Sequence, residues 1–480
     1  MKITLTLLAM SLCFECACMA ADPTALPVRE KYLLLDDRVL ASVENAVLKV
    51  GTPQKHSANP LFGADQPWER DLSHMYANVV FDEDERIYRL WYYSKAAPLC
   101  VGQEDLAQHI TPGPLIPAGK DWHESLLYAV SRDGIKWEKP ALDIYKYKQQ
   151  PCNMLLYDVH GAGVFKDSLD PDRSRRYKLI TGKVGMGTVY VAFSADGIHW
   201  SERQEVAKAR ADTHNNAFWA PDLKRYVAFT RGFPNTLRTV LRMDSEDFIH
   251  WSEPTEVMRG PYAAQTYSMP VFRYAGVYLG LVAVFRTKDE LRVQTELAWS
   301  PDTRTWHRIE EGTPFIPYGA QGAPDWGCTY AAATPIVQKD EIRVYYAGEP
   351  AKHGMDSIRG CKGFLCLATL RPDGWAGYVE KERIEQFPSR LRTRPLTCSG
   401  KMLRVTADVY PGPNGGGGKA TILDAQGNTV MEGKPFHATV TDGVIADVSS
   451  LTGKTVIIQF SFRNAKIYSF AFGDAQGAQN

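Results

Sequence analysis

The chain carries no excess charge of either sign. Its 55 acidic residues are matched by 55 basic ones, and no basic face or charge run stands out. That excludes the electrostatic footprint of a nucleic-acid binder or of a protein held on an anionic membrane. Long apolar runs are also missing. Beyond residue 20 nothing approaches the roughly twenty apolar residues of a spanning helix, so no membrane partner is expected. Cysteine is sparse, with nine in 480 residues, and three of them (Cys13, Cys16, Cys18) fall in the leader-like start. The other six are Cys100, Cys152, Cys328, Cys361, Cys366 and Cys398. An even number permits disulfides without fixing their pairing. A zinc site at Cys361 and Cys366 would need two further ligands and finds only His353 nearby, so buried or paired thiols are expected instead.

The first twenty residues read as a signal peptide. Lys2 supplies the positive start, residues 3–12 the apolar core, and Cys18-Met19-Ala20 a small-x-small cleavage site. Lipidation at Cys18, which follows Ala17, is the weaker reading. The mature chain is therefore expected to be secreted or periplasmic, and monomeric.

One phrase occurs four times: Ser-x-Asp-x-x-x-Trp, at 131–137, 194–200, 245–251 and 300–306. The serines are 63, 51 and 55 residues apart, about the size of one four-stranded propeller blade. Each copy closes a short apolar segment, which places it in the turn after a strand. The Asp can accept turn amide hydrogens, the Gly in two copies permits positive φ, and the Trp can fill the gap between blades. Before each box a hairpin-like run begins, at Tyr76, Gly161, Asn215 and Ser268, and a fifth follows at Tyr330. Its last strand runs into Arg371-Pro372-Asp373-Gly374 without a full box. The pattern predicts an all-β protein with a five-bladed propeller; an open sandwich is the bland alternative.

Near residue 380 the boxes stop and short alternating strands follow. The expected division is a signal peptide at 1–20, an N-terminal extension packed on the propeller at 21–73, the propeller at 74–378, a linker at 379–391 and a small C-terminal β-sandwich at 392–480. The extension is a source for the strand that closes the last blade.

In a propeller the openings of the innermost strands converge on the axis. Those openings contain Trp68, Glu69, Asp71, His74, Tyr76 and Asn78; Asp158 and His160; Asp212, His214, Asn215 and Asn216; Gln265 and Tyr267; and Asp325, Trp326 and Tyr330. Carboxylates, amides, imidazoles and aromatic faces are what a sugar pocket needs, so the expected partner is a carbohydrate. Asp212 and Asp325 are the expected catalytic pair, with Glu69 next. Glu296 and Arg231 join the binding set.

The boxed turns resemble those of the five-bladed β-propeller glycoside hydrolases, the group of arabinanases, xylosidases, invertases and mannoside phosphorylases. The likeness spans about residues 76–378. It implies three carboxylates from different blades acting at the axis on a glycosidic bond, either retaining or inverting. The invertase Asn-Asp-Pro-Asn and Glu-Cys-Pro motifs are absent; residues 59–63 (NPLFG) are a distant echo, so no family residue carries over directly. The resemblance also raises an axial calcium ion, for which His160 and His214 are the nearest histidines, although no cofactor is required. Two other readings stay open: an exo-sialidase binding a sugar carboxylate through Arg231, Arg238 and Arg242, and a sugar-binding propeller without catalysis.

Overall fold

The structure is a computed structural model that describes residues 26–96, 123–183, 187–288, 290–354, 363–382, 388–412 and 415–474. The expected signal peptide, Cys100 and Cys361 lie outside the described residues. Cys152, Cys328, Cys366 and Cys398 are buried.

Five antiparallel meanders follow one another. The first runs Asn78–Asp82, Ile87–Ala96, His123–Ser131 and Met154–Tyr157, with Glu69–Asp71 extending its inner edge. The second is His160–Lys166, Tyr177–Gly182, Thr188–Ser194 and Gln204–Lys208. The third is Asn216–Ala220, Arg225–Gly232, Thr239–Ser245 and Thr255–Arg259. The fourth opens with Ala264–Ser268 and Val271–Tyr274, and continues through Val277–Arg286, Arg292–Ser300 and His307–Ile309. The fifth opens with Cys328–Ala331 and Ile336–Val337, and continues through Ile342–Glu349 and Phe364–Leu370. Gln54–Lys55, from the N-terminal extension, is its outer strand. First strands touch in order through the fourth meander, Cys328–Ala331 of the fifth lies against Val277–Arg286 and Arg292–Ser300 of the fourth, and Ile336–Val337 returns to Asn78–Asp82. The ring is a β-propeller.

The boxed turns do what their chemistry predicts. Asp133 Oδ1 accepts the amide hydrogens of Ile135 and Lys136, both at 2.8 Å, and Ser131 Oγ accepts that of Gly134 at 2.8 Å. The same bonds recur around Asp196, Asp247 and Asp302. The fourth position takes positive φ in every copy: 74° at Gly134, 77° at Gly197, 68° at Phe248 and 67° at Thr303. The Trp reaches the preceding meander, as with Trp137 on Tyr345 and Trp306 on Phe229. In the fifth meander Trp375 arrives early and packs on Phe272 and Tyr274 of the fourth.

The sandwich is larger than the sequence suggests. One sheet orders Ala46–Val50, Ala376–Glu380, Ala465–Gly473, Met402–Val409 and Val440–Asp447, with Tyr32–Leu33 beside Ala465–Gly473. The facing sheet orders Leu40–Glu44, Ser389–Thr393, Thr455–Arg463, Gly417–Leu423 and Thr429–Glu432, with Leu396–Thr397 on Thr455–Arg463. Tyr32, Val39, Leu391, Leu403, Ile422, Phe460 and Phe470 fill the core between them. The strands within residues 32–50 thus belong to the sandwich, and residues 379–380 and 389–391 of the stretch expected as a linker pair inside its sheets. Buried Asp373 joins the two bodies. It accepts from Tyr274 of the propeller at 2.7 Å and from Ser469 and Thr406 of the sandwich at 2.6 and 3.1 Å, and it pairs with Lys31 at 2.8 Å.

Candidate active site at the propeller axis

First strands start, and second strands end, on one face of the ring; the boxed turns lie on the other. Four meanders contribute a connected group of side chains to the first face. His160 is placed by its strand so that Nδ1 lies 3.1 Å from Glu124 Oε2 and Nε2 lies 3.0 Å from Asp212 Oδ1. The other Asp212 oxygen meets Arg231 Nη1 at 3.2 Å. Arg231 is buried, donates to the Tyr267 carbonyl at 2.6 Å from Nη2, and stands 4.3 Å over the Tyr267 ring. Gly161, beside His160, lets this happen. It has φ 57°, and a Cβ there would lie 1.5 Å from the Thr213 carbonyl oxygen.

The electrostatics follow from the pairing. Burial alone would lower the His160 pKa, but the two carboxylates outweigh it and raise it to about 9. Burial would raise Asp212, and the His160 hydrogen bond with the Arg231 charge instead holds it well below the ordinary carboxylate value. Asp212 is thus an ionised carboxylate, yet 38% of its side chain is exposed. Aromatic rings form the surroundings. His74, Met75 and Tyr76 take consecutive positive φ values of 66°, 34° and 41°, a strained turn that swings Tyr76 toward His160 and His214 at ring distances of 5.5 Å. His74 stacks on Tyr267 and donates to or accepts from His353 at 3.2 Å, while Tyr330 meets His353 at 3.1 Å. Burial and the neighbouring His353 push the His74 pKa well down. Glu349 Oε1 accepts the His74 amide hydrogen at 2.5 Å.

Below this group the axis is plugged. Buried His214, lowered to about 3 by burial, lies 3.3 Å from Asn78 Oδ1. Asn78 donates to the Tyr76 and Ala162 carbonyls and accepts from the Val164 amide, and Asn216 accepts from Val271, so both staple one meander to the next. Asn215 is saturated by the carbonyls of Gly161, Ala211 and Thr213 and by Thr230. These three asparagines hold the ring together and do not face a ligand.

Asp212, His160, Arg231, Tyr76, Tyr267 and Tyr330 are brought together as the sequence suggests. Other expected residues are placed elsewhere. Asp325 is buried and paired with Lys55 at 2.5 Å and with the Tyr346 hydroxyl at 2.8 Å, so it secures the closing strand and does not join Asp212. Glu69 is enclosed by Lys139 at 2.7 Å, Tyr92 at 2.6 Å and the amides of Asp65 and Gln66. Trp68 donates to Asn153 at 2.8 Å beside Tyr147. Glu296 is buried against Gln294, Arg308 and the Gly312 amide. Asp71 is held by Ser73 and Lys95, Asp158 pairs with Lys183 at 3.1 Å, and Trp326 carries Arg292 at 4.3 Å. Gln265 accepts from Arg238 at 2.9 Å. The three arginines of the sialidase reading are not gathered: Arg242 bonds Thr303 and Asp244 in the body of its meander. Glu124, Glu349 and His353 were not anticipated as site residues. Glu124 opens a third strand, Glu349 ends a second one and His353 follows it, whereas most candidates came from first-strand openings.

The donor set does not fit an axial calcium ion. His160 already has a carboxylate on each nitrogen, and His214 faces an amide. Among the described residues no three His, Cys, Asp or Glu side chains gather as metal ligands.

No family model and no curated protein matches the chain. Solved structures do. A glycoside hydrolase family 43 arabinoxylan arabinofuranohydrolase from Bacillus subtilis, in complex with cellotetraose, is similar over 88% of this chain and 99% of its own, at 12% identity and a TM-score of 0.38. An alpha-L-arabinofuranosidase from Podospora anserina, in complex with cellotriose, covers 67% of this chain and 98% of its own, at 12% identity and a TM-score of 0.44. An N-acetylgalactosamine deacetylase from F. plautii, in complex with blood group B trisaccharide, covers 69% and 97%, at 14% identity and 0.43.

Proposed function

We propose that this protein is a glycoside hydrolase that presents Asp212 to a sugar at the mouth of its propeller. One observation carries the reading. A carboxylate kept ionised by His160 and Arg231 stays open to solvent among tyrosine and histidine rings. Such a group can stabilise an oxocarbenium-like transition state, or act as base or nucleophile at the anomeric carbon. His160, gripped by Glu124, is a positioning residue that fixes the carboxylate. Buried His214 and Asn78 pack against Tyr76 at the axis, which supports a pocket and action on a terminal residue of a polysaccharide or glycoconjugate. The signal-peptide-like sequence of residues 1–20 supports export to such a substrate.

The test is a panel of chromogenic glycosides with wild type and Asp212→Asn. Hydrolysis by the wild type, lost by a factor of about 10³ or more in a variant that is still folded at the assay temperature, is expected. Equal rates in both would remove Asp212 from catalysis. Binding of sugars with no turnover of any panel member would favour the non-catalytic propeller. Release of internal oligomers without monosaccharide would refute terminal action.

A further inference from the structure

Beside Asp212 lies a cation that the hydrolytic machinery leaves unused. Arg238 follows the turn Pro234–Thr236 on the mouth side of the third meander. Its guanidinium is half-buried against three aromatic rings, 5.5 Å from the centroid of Tyr267, 5.2 Å from Phe285 and 5.6 Å from Phe233. Nη1 donates to Gln265 Oε1 at 2.9 Å, while Nε is buried without an acceptor. Among the described residues no carboxylate lies within ion-pairing distance of it. Asp212, whose charge reaches it, is already shared by His160 and Arg231. Arg210 stands over the Phe233 ring at 5.1 Å, also with no carboxylate partner among the described residues. Both cations rim the same opening.

A guanidinium removed from water next to a second one, without its own counter-charge, is costly unless something supplies the charge. Burial and the Arg231 charge both weaken its hold on its proton. Gln265 fixes the fork so that its remaining donors keep one orientation, which suits planar, bidentate pairing.

We propose that Arg238 recognises a carboxylate on the saccharide, so that the mouth of the propeller takes an acidic sugar. This rests on the reading of the mouth as a saccharide site. The ligand's charge completes an alternating row with Arg238, Asp212 and Arg231, and its ring lies against Tyr267. The shared chemistry is a carboxylated sugar, either a hexuronate or a nonulosonate.

The experiment measures binding separately from cleavage. Calorimetry with wild type, Arg238→Gln and Arg238→Lys uses the free monosaccharides glucuronate, galacturonate and N-acetylneuraminate, with glucose and galactose as neutral counterparts. At least one acid should bind ten times or more tightly than the neutral sugars, with the preference abolished by Arg238→Gln and partly restored by Arg238→Lys. Which acid binds separates the two sources. Equal or tighter binding of a neutral sugar, no binding of any acid, or an affinity for the acid that Arg238→Gln leaves unchanged overturns the assignment. Acid binding with no hydrolysis of the matching aryl glycosides would sink the hydrolase reading alone, and hydrolysis confined to neutral glycosides would sink this one alone.

Discussion

At the level of single residues, the site is a row of charges whose protonation states depend on one another, and pH tests it directly. His160 titrates near 6.5 when unfolded and at about 9 in the fold. Because the folded value is the higher one, its contribution is complete below about pH 6.5 and is lost as pH climbs through about 9. On the order of 3 kcal/mol is involved. The melting-temperature advantage of wild type over His160→Gln should therefore be largest at pH 6 and shrink between pH 6.5 and 9.5, a difference from which the lowered His74 and His214 cancel. A difference that stays constant over that interval would show that the imidazolium does not bridge Glu124 and Asp212. Residues here were legible in the sequence where a polar group opened a first strand, as with Asp212 and His160. Asp325 and Glu69 carried the same local signal and proved to be anchors. Their partners, Lys55 and Lys139, lie 270 and 70 residues away in the chain, so nothing beside them marked them as paired.

The seven-residue box was the most readable element, because its bonds close within the box itself. Ser and Asp side chains saturate the amides of their own turn, and the positive φ at the fourth position follows from that geometry. Gly197 shows the constraint: with φ 77°, an added Cβ would lie 2.7 Å from Trp91 Cζ2. Gly197→Ala should cost on the order of 2–3 kcal/mol, whereas alanine at exposed Lys136 of the first box should stay within about 0.5 kcal/mol. Denaturant titration of the two variants compares them; equal midpoints would mean the turn is not under this restraint. The strands at Leu40–Glu44 and Ala46–Val50 were unreadable for the opposite reason. Their partners, Ser389–Thr393 and Ala376–Glu380, are supplied by the far end of the chain, and their alternation looks like that of any half-buried strand.

In the molecule as a whole, propeller and sandwich meet at Asp373, the Asp of the incomplete fifth box. Removing its carboxylate would leave Tyr274, Thr406, Ser469 and Lys31 facing no acceptor. Asp373→Ala should cost about 3–5 kcal/mol and separate thermal unfolding into two transitions by calorimetry; a single transition at the wild-type temperature would show that the junction is not a coupling point. The N-terminal strands have a further consequence, one of timing. Lys466 Nζ bonds the Val50 carbonyl across 416 residues of chain. At synthesis rates of roughly 5–20 residues per second, that partner reaches the growing end about 20–80 s after Val50 has left it. The earliest-made strands are thus the last to find their neighbours. The sandwich edges must stay unpaired through most of translation, and no nascent chain that ends before Phe364–Leu370 can hold a finished ring.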